Sequence, residues 1–162
     1  MLNIKIICVG KIKEKSLQEL INEYSKRLSK YCKLDIIELQ DEKFGNNLSY
    51  LEAEKVKNIE GNKIKEKILK YEKATIFLLD LKGKEYSSEE FSEKLSQVAT
   101  YENSTIIFVI GASLGISKEV LEMSNNKICF SKMTFPHQLI RVFLLEQIFR
   151  AFKIQNNEKY HH

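Results

Sequence analysis

The sequence predicts an α/β fold on a mostly parallel sheet, and two observations carry that reading. Short apolar runs alternate along the chain with segments whose apolar residues recur at helical spacing, the order that lays helices over the faces of a parallel sheet. No linker interrupts the alternation: the chain has one proline and six glycines, and no low-complexity stretch stands out. With 162 residues, 43% of them apolar, residues 1–162 form one domain with a real core.

The elements follow in order. Leu2–Val9 is an apolar run and the first strand. Ser16 caps a helix that carries Leu17, Leu20, Ile21, Tyr24 and Leu28 on one face. Leu34–Leu39 is the second strand. A charged helix runs from about Ser49 to Tyr71, with Glu and Lys at helical spacing. Ala74–Leu81 is near-continuously apolar, as a strand covered on both faces should be. Ser87-Ser-Glu-Glu90 reads as a capping box opening a helix through about Ala99. Thr105–Ile110 is the next strand, Ser117 caps a short helix to Asn125, and Lys127–Phe130 is a last short strand. Pro136 sits in the first turn of a final helix to about Ile154, and Gln155–His162 is a tail.

Composition narrows the functional classes. No stretch is long and apolar enough to cross a bilayer. The basic residues near the start follow the apolar run, the reverse of a signal peptide, so a cytoplasmic protein is expected. Cys8, Cys32 and Cys129 are widely spaced and lie in or beside apolar runs. They read as buried hydrophobes, with no disulfide and no metal site expected. The net charge of +4 permits contact with nucleic acid without demanding it. The Lys11–Lys15 cluster and the long Glu/Lys helix are either phosphate contacts or solvated faces.

Chemistry concentrates late in the chain. Two of the three arginines, Arg141 and Arg150, lie in the final helix, and His137, His161 and His162 all fall in the last 26 residues. In a parallel sheet ligands bind at the carboxyl ends of strands, which nominates the turns Leu79–Gly83, Gly111–Gly115 and Phe130–Phe135. Gly111 and Gly115 would let backbone approach a ligand, although the pattern is neither a dinucleotide fingerprint nor a P-loop. Asp80 is either a ribose acceptor or a solvated turn acid. His137 and Arg141, four apart, share a face at the start of the final helix; Glu146 and Arg150 read as a structural pair. That helix is apolar around most of its circumference, so it is either central or packed against a second subunit.

Ser131-Lys-Met-Thr-Phe-Pro-His-Gln-Leu-Ile-Arg-Val-Phe-Leu-Leu-Glu-Gln-Ile-Phe-Arg-Ala-Phe-Lys-Ile154, followed by Tyr160-His161, is more specific than any spacing rule. Together with Ile6-Ile-Cys-Val-Gly-Lys-Ile-Lys-Glu-Lys15 and Phe108-Val-Ile-Gly111, it resembles the ribosomal large-subunit pseudouridine methyltransferase H family, RlmH, of the SPOUT superfamily. The resemblance covers the whole chain. It implies a SPOUT-type α/β trefoil knot, a homodimer, and S-adenosylmethionine as cofactor, with no metal and no membrane involved. The implied substrate is N3 of a pseudouridine in helix 69 of 23S rRNA on the assembled ribosome. By position in the matching motifs, Leu79, Gly111, Phe130, Ser131, Lys132, Met133, Thr134 and Phe135 would line the cofactor pocket. His137, Arg141, Tyr160 and His161 would lie near the methyl donor. His161 would then be the base that removes the N3 proton, Tyr160 a group that stacks on or hydrogen-bonds the ring, and Arg141 a phosphate or oxyanion partner.

Two positions depart from the family pattern. Ala112 stands where a second glycine is usual, at a cost of about 1 kcal/mol if φ there is positive. His162 stands where a basic residue usually follows Tyr-His. A non-catalytic RNA-binding or ribosome-binding dimer of the same fold is the alternative, and Ala112 is the feature that favours it.

Overall fold

A computed structural model describes residues 1–161; the departure at His162 lies outside the described residues. Five strands and five helices alternate: β1 (Leu2–Val9), α1 (Lys15–Leu28), β2 (Cys32–Leu39), α2 (Tyr50–Ile68), β3 (Thr75–Glu85), α3 (Ser88–Tyr101), β4 (Thr105–Ile110), α4 (Lys118–Leu121), β5 (Asn126–Cys129) and α5 (His137–Gln155). The sheet order is β2-β1-β4-β3-β5, and every neighbouring pair is parallel.

Successive side chains of a strand point to opposite faces, and here both faces are apolar. Ile4, Ile6, Phe77, Ile106 and Phe108 pack on one side with α1, α3 and α5. Ile7, Val9, Leu78, Ile107 and Val109 pack on the other with Ile64 and Ile68 of α2 and Val120 of α4. The result is three layers, helix–sheet–helix. The final helix lies against both α1 and α3 and over the sheet, so most of its apolar circumference is covered within one chain. Leu144, Leu145 and Ile148 are fully buried, each contributing roughly 1.5–3 kcal/mol relative to exposure. Among the described residues no helix is long and apolar enough to cross a membrane.

Caps set most helix starts. Ser49 and Ser87 accept the backbone N–H of Glu52 and Glu90, the latter as a complete capping box, and Ser117 accepts that of Val120. The first helix differs from expectation. It begins at Lys15 behind Glu14, which makes no side-chain cap, and Ser16 is an exposed residue of its first turn. Its entry is held by the Gln18 amide donating to the Ile12 carbonyl at 2.6 Å. Leu20, expected on the apolar face, is 41% exposed. Pro136 is the N-cap of α5 rather than a residue of its first turn.

The third strand also runs past its expected end at Leu81, because β5 continues beside it. Ile128 pairs first with Leu79 and, after a register shift, with Lys84. A side chain at Gly83 would meet the Lys127–Ile128 backbone at 2.6–2.7 Å, so only glycine fits there.

Candidate functional site

The carboxyl ends of β3, β4 and β5 open onto a cleft of about 580 Å³, within the roughly 300–1,000 Å³ usual for small-molecule sites. All three turns nominated from the sequence contribute to its wall. Leu79, Gly111, Phe130, Ser131, Met133, Thr134, Phe135 and His137 line it, and Lys132 does not. Asp80, Ala112, Ser113, Pro136 and Ile140 line it as well; the first three sit in the nominated turns, while Ile140 had no signal beyond helix spacing.

Local bonds shape the wall. The Gly115 amide donates to the Ala112 carbonyl at 2.9 Å, closing a tight turn in which Gly115 takes φ +88°. Ala112 does not have positive φ; among the described residues the only non-glycine that does is Asn157. The cost anticipated at Ala112 therefore does not arise. At Gly111 a Cβ would lie 2.9 Å from the Ile116 side chain and 3.0 Å from Gly115 backbone. Between β5 and α5, the Ser131 hydroxyl accepts the Met133 amide at 3.0 Å, and the Cys129 thiol donates to the Ser131 carbonyl at 3.0 Å.

Behind the cleft lies an ion pair between a buried guanidinium and an exposed carboxylate. Arg141 is 2% exposed. Its Nη1 donates to Glu38 Oε2 at 2.7 Å and its Nη2 to the Gly10 carbonyl at 3.1 Å, while its Nε has no partner among the described residues. The same Glu38 oxygen accepts the Ile12 amide at 3.4 Å. Gly10 has φ +93°, and it is this backbone conformation that calls for glycine, since a Cβ there would lie at an ordinary contact distance of 3.8 Å from His137 Nε2. The His137 imidazole is held below its usual value, first by burial and second by the Arg141 charge. It presents a neutral ring to the cleft at pH 7. Burial pushes the nearby Cys8 thiol up to about 12, against the opposing pull of Arg141.

Comparison with known proteins gives this geometry its setting. Residues 2–161 match the family described as "Predicted SPOUT methyltransferase". The chain belongs to the SPOUT methyltransferase family. Within it, the ribosomal RNA large subunit methyltransferase H of Clostridium botulinum strain Eklund 17B is 56% identical over 160 residues, 99% of each chain. That of Clostridium acetobutylicum is 54% identical over the same share. At this identity and coverage, the resemblance to the methyltransferase H family holds along the chain. A Legionella pneumophila methyltransferase solved with the bound cofactor SAM shares the fold: TM-score 0.51, 12% identity, 93% of this chain and 66% of that one.

In this SPOUT methyltransferase the tail residues do not line the 580 Å³ cleft. The Tyr160 hydroxyl donates to Glu146 Oε2 at 2.8 Å, as does Tyr24 at 2.5 Å. Arg150 donates twice to Glu146 Oε1, at 3.0 and 2.7 Å, the structural pair expected. Its guanidinium also lies 4.7 Å from the Tyr160 ring centroid. Burial, and then the bond to Glu146, raise the Tyr160 hydroxyl above its usual value. His161 stands between Arg150 Nη1, 3.3 Å from Nδ1, and Glu89 Oε1, 2.5 Å from Nε2. With arginine always a donor, Nδ1 accepts and Nε2–H donates to the carboxylate. Glu146 also lines a second hollow of about 300 Å³, which shares Phe130, Ser131 and Phe135 with the first. Sequence reasoning missed Glu38 and Glu89, because their partners lie 103 and 72 residues away along the chain.

Proposed function

We propose that the protein transfers a methyl group from S-adenosylmethionine to N3 of a pseudouridine in helix 69 of 23S rRNA. The substrate is the assembled ribosome, and the working form is a cytoplasmic homodimer with the family's trefoil knot. The observation that carries this reading is the near-complete match to proteins named ribosomal RNA large subunit methyltransferase H, joined to a cleft of suitable size at the strand ends. The neighbour of the same fold was solved with SAM.

The residues present fit that cofactor. Leu79, Phe130 and Phe135 offer apolar faces to an adenine, and backbone groups of Gly111 and of the Phe130–Phe135 run offer hydrogen bonds to its edge. Lys132 and Thr134 are exposed at the same segment, beside Met133. When bound, the cofactor supplies an electrophilic methyl group on a sulfonium.

What this chain must add is orientation and removal of the N3 proton, since a protonated imide nitrogen is a poor nucleophile. His161 is assigned as the base. Glu89 accepts its Nε2–H and would stabilise the imidazolium that forms, while Nδ1 exchanges Arg150 for the ring proton. Tyr160 stacks on or hydrogen-bonds the ring. Arg141, committed to Glu38 and Gly10, lends positive potential from behind the cleft to the developing negative charge, and His137 contributes a neutral ring at the rim. The non-catalytic alternative rested on Ala112, and ordinary backbone at that position leaves it without support.

The test is transfer of labelled methyl from S-adenosylmethionine to ribosomes lacking the modification, followed by nuclease mapping. Label at N3 of the helix 69 pseudouridine is expected, with His161→Ala lowering the single-turnover rate on the order of 100-fold or more. No label from a folded dimer overturns the reading. Full rate in His161→Ala overturns the base assignment alone.

A further inference from the structure

The segment joining β1 to α1 is pinned at alternate residues. Gly10 is buried, and its carbonyl accepts from Arg141 Nη2. Ile12 is 5% exposed, its amide donates to Glu38, and its carbonyl accepts from Gln18. Between and after these anchors Lys11, Lys13 and Lys15 are exposed. None of the three takes part in an ion pair among the described residues. The helix that follows has, like α5 and unlike α2 and α3, neither a side-chain cap nor an acidic residue in its first turn. The positive end of its dipole therefore adds to the lysines, and Glu14 is the sole carboxylate within the segment. The anchored backbone lies against His137, a lining residue of the cleft.

A solvated charged face needs no such anchoring. Pinning the backbone keeps three ammonium groups at one edge of the cleft without fixing their flexible side chains, which suits a repeating polyanion more than a single ligand. We propose that the Lys11–Lys15 loop is where phosphates of the substrate RNA dock, laying the strand beside His137 at the mouth of the cleft. Glu38 and Arg141 act as positioning residues for that loop. The inference rests on reading the cleft as a methyl-transfer site for rRNA and adds which surface holds the backbone of that RNA.

The experiment compares the full-length protein with the Lys11→Gln/Lys13→Gln/Lys15→Gln variant and with a charge-matched control, Lys26→Gln/Lys30→Gln/Lys33→Gln, whose lysines are also exposed. KM and kcat for ribosomes lacking the modification are measured across salt concentrations, with S-adenosylmethionine affinity by calorimetry. The loop variant should raise KM on the order of tenfold at moderate salt and flatten the salt dependence of log KM by about 2, since each phosphate contact contributes about 0.7–0.9 to that slope. Its kcat and cofactor affinity should match wild type, and the control should stay within about twofold. An unchanged KM in the loop variant, or equal losses in both variants, overturns the inference while leaving the methyl-transfer reading intact. A wild-type chain that binds S-adenosylmethionine but neither binds nor methylates rRNA overturns both.

Discussion

At the scale of single residues, the cleft depends on groups whose charge is set by what surrounds them. His137 illustrates the sign. Burial and Arg141 lower its pKa in the folded state below the ordinary 6.5, while the unfolded chain restores the ordinary value. The unfolded state thus binds more protons, and stability rises with pH through the window below 6.5. Asp41 and Glu14 face the ring and pull the other way without reversing the shift. Urea unfolding of wild type and His137→Gln as pH falls below 6.5 should show the wild type losing stability more steeply. Parallel curves would mean that the imidazole titrates normally and that its burial has no electrostatic consequence. Whether His137 and Arg141 share a helix face was legible in the sequence, because four-residue spacing is enough for that. That Arg141 turns inward was not, because Glu38 and the Gly10 carbonyl reach it only through sheet pairing and loop closure.

At the scale of elements, local chemistry wrote the boundaries where the chain could satisfy its own backbone, and tertiary contacts wrote them elsewhere. Serine caps at 87 and 117 were readable because each carries its partner three residues on, and Ser49 caps α2 at the approximate start expected for it. The start of α1 was not, because the Ile12 carbonyl and Gln18 hold it instead of Ser16. The extension of β3 through Lys84 and Glu85 was hidden for a related reason: those polar residues are strand only because β5 lies alongside. Contact between α2 and α4 supplies a prediction of the same kind. Gly61 is buried in mid-helix, and a Cβ there would lie 2.9 Å from Ser117 Cβ and closer still to its hydroxyl, which caps α4. Gly61→Ala gains about 1 kcal/mol of helix propensity and incurs roughly 1–3 kcal/mol of overpacking against a buried neighbour. A net loss on the order of 1 kcal/mol is expected, read as a lower urea midpoint at unchanged slope. A gain in stability would show that α4 can shift away cheaply.

At the scale of the whole molecule, the question is what the final helix leaves uncovered. Its apolar circumference left two readings open, a central helix or a subunit interface, and packing within the chain accounts for most of it. The faces toward α1, α3 and the sheet are closed within the chain. The remaining stripe runs from the half-buried Leu139 to Phe143, which is 37% exposed with its ring set edge-on to Phe135 at 5.4 Å. Nearby, the cleft-lining Leu81 and Met133 are 60% and 73% exposed. Apolar side chains exposed together at one end of a domain mark a partner surface, and a second copy is the partner that the family resemblance implies. A two-fold interface would use the stripe twice, so one substitution is felt on both sides of the axis. Phe143→Glu is therefore expected to convert a dimer into a 19.0 kDa monomer in sedimentation equilibrium. The helical circular-dichroism signal should persist, because Leu144, Leu145 and Ile148 still close the core from the opposite faces of the helix. If the variant sediments as wild type does, α5 carries no subunit interface.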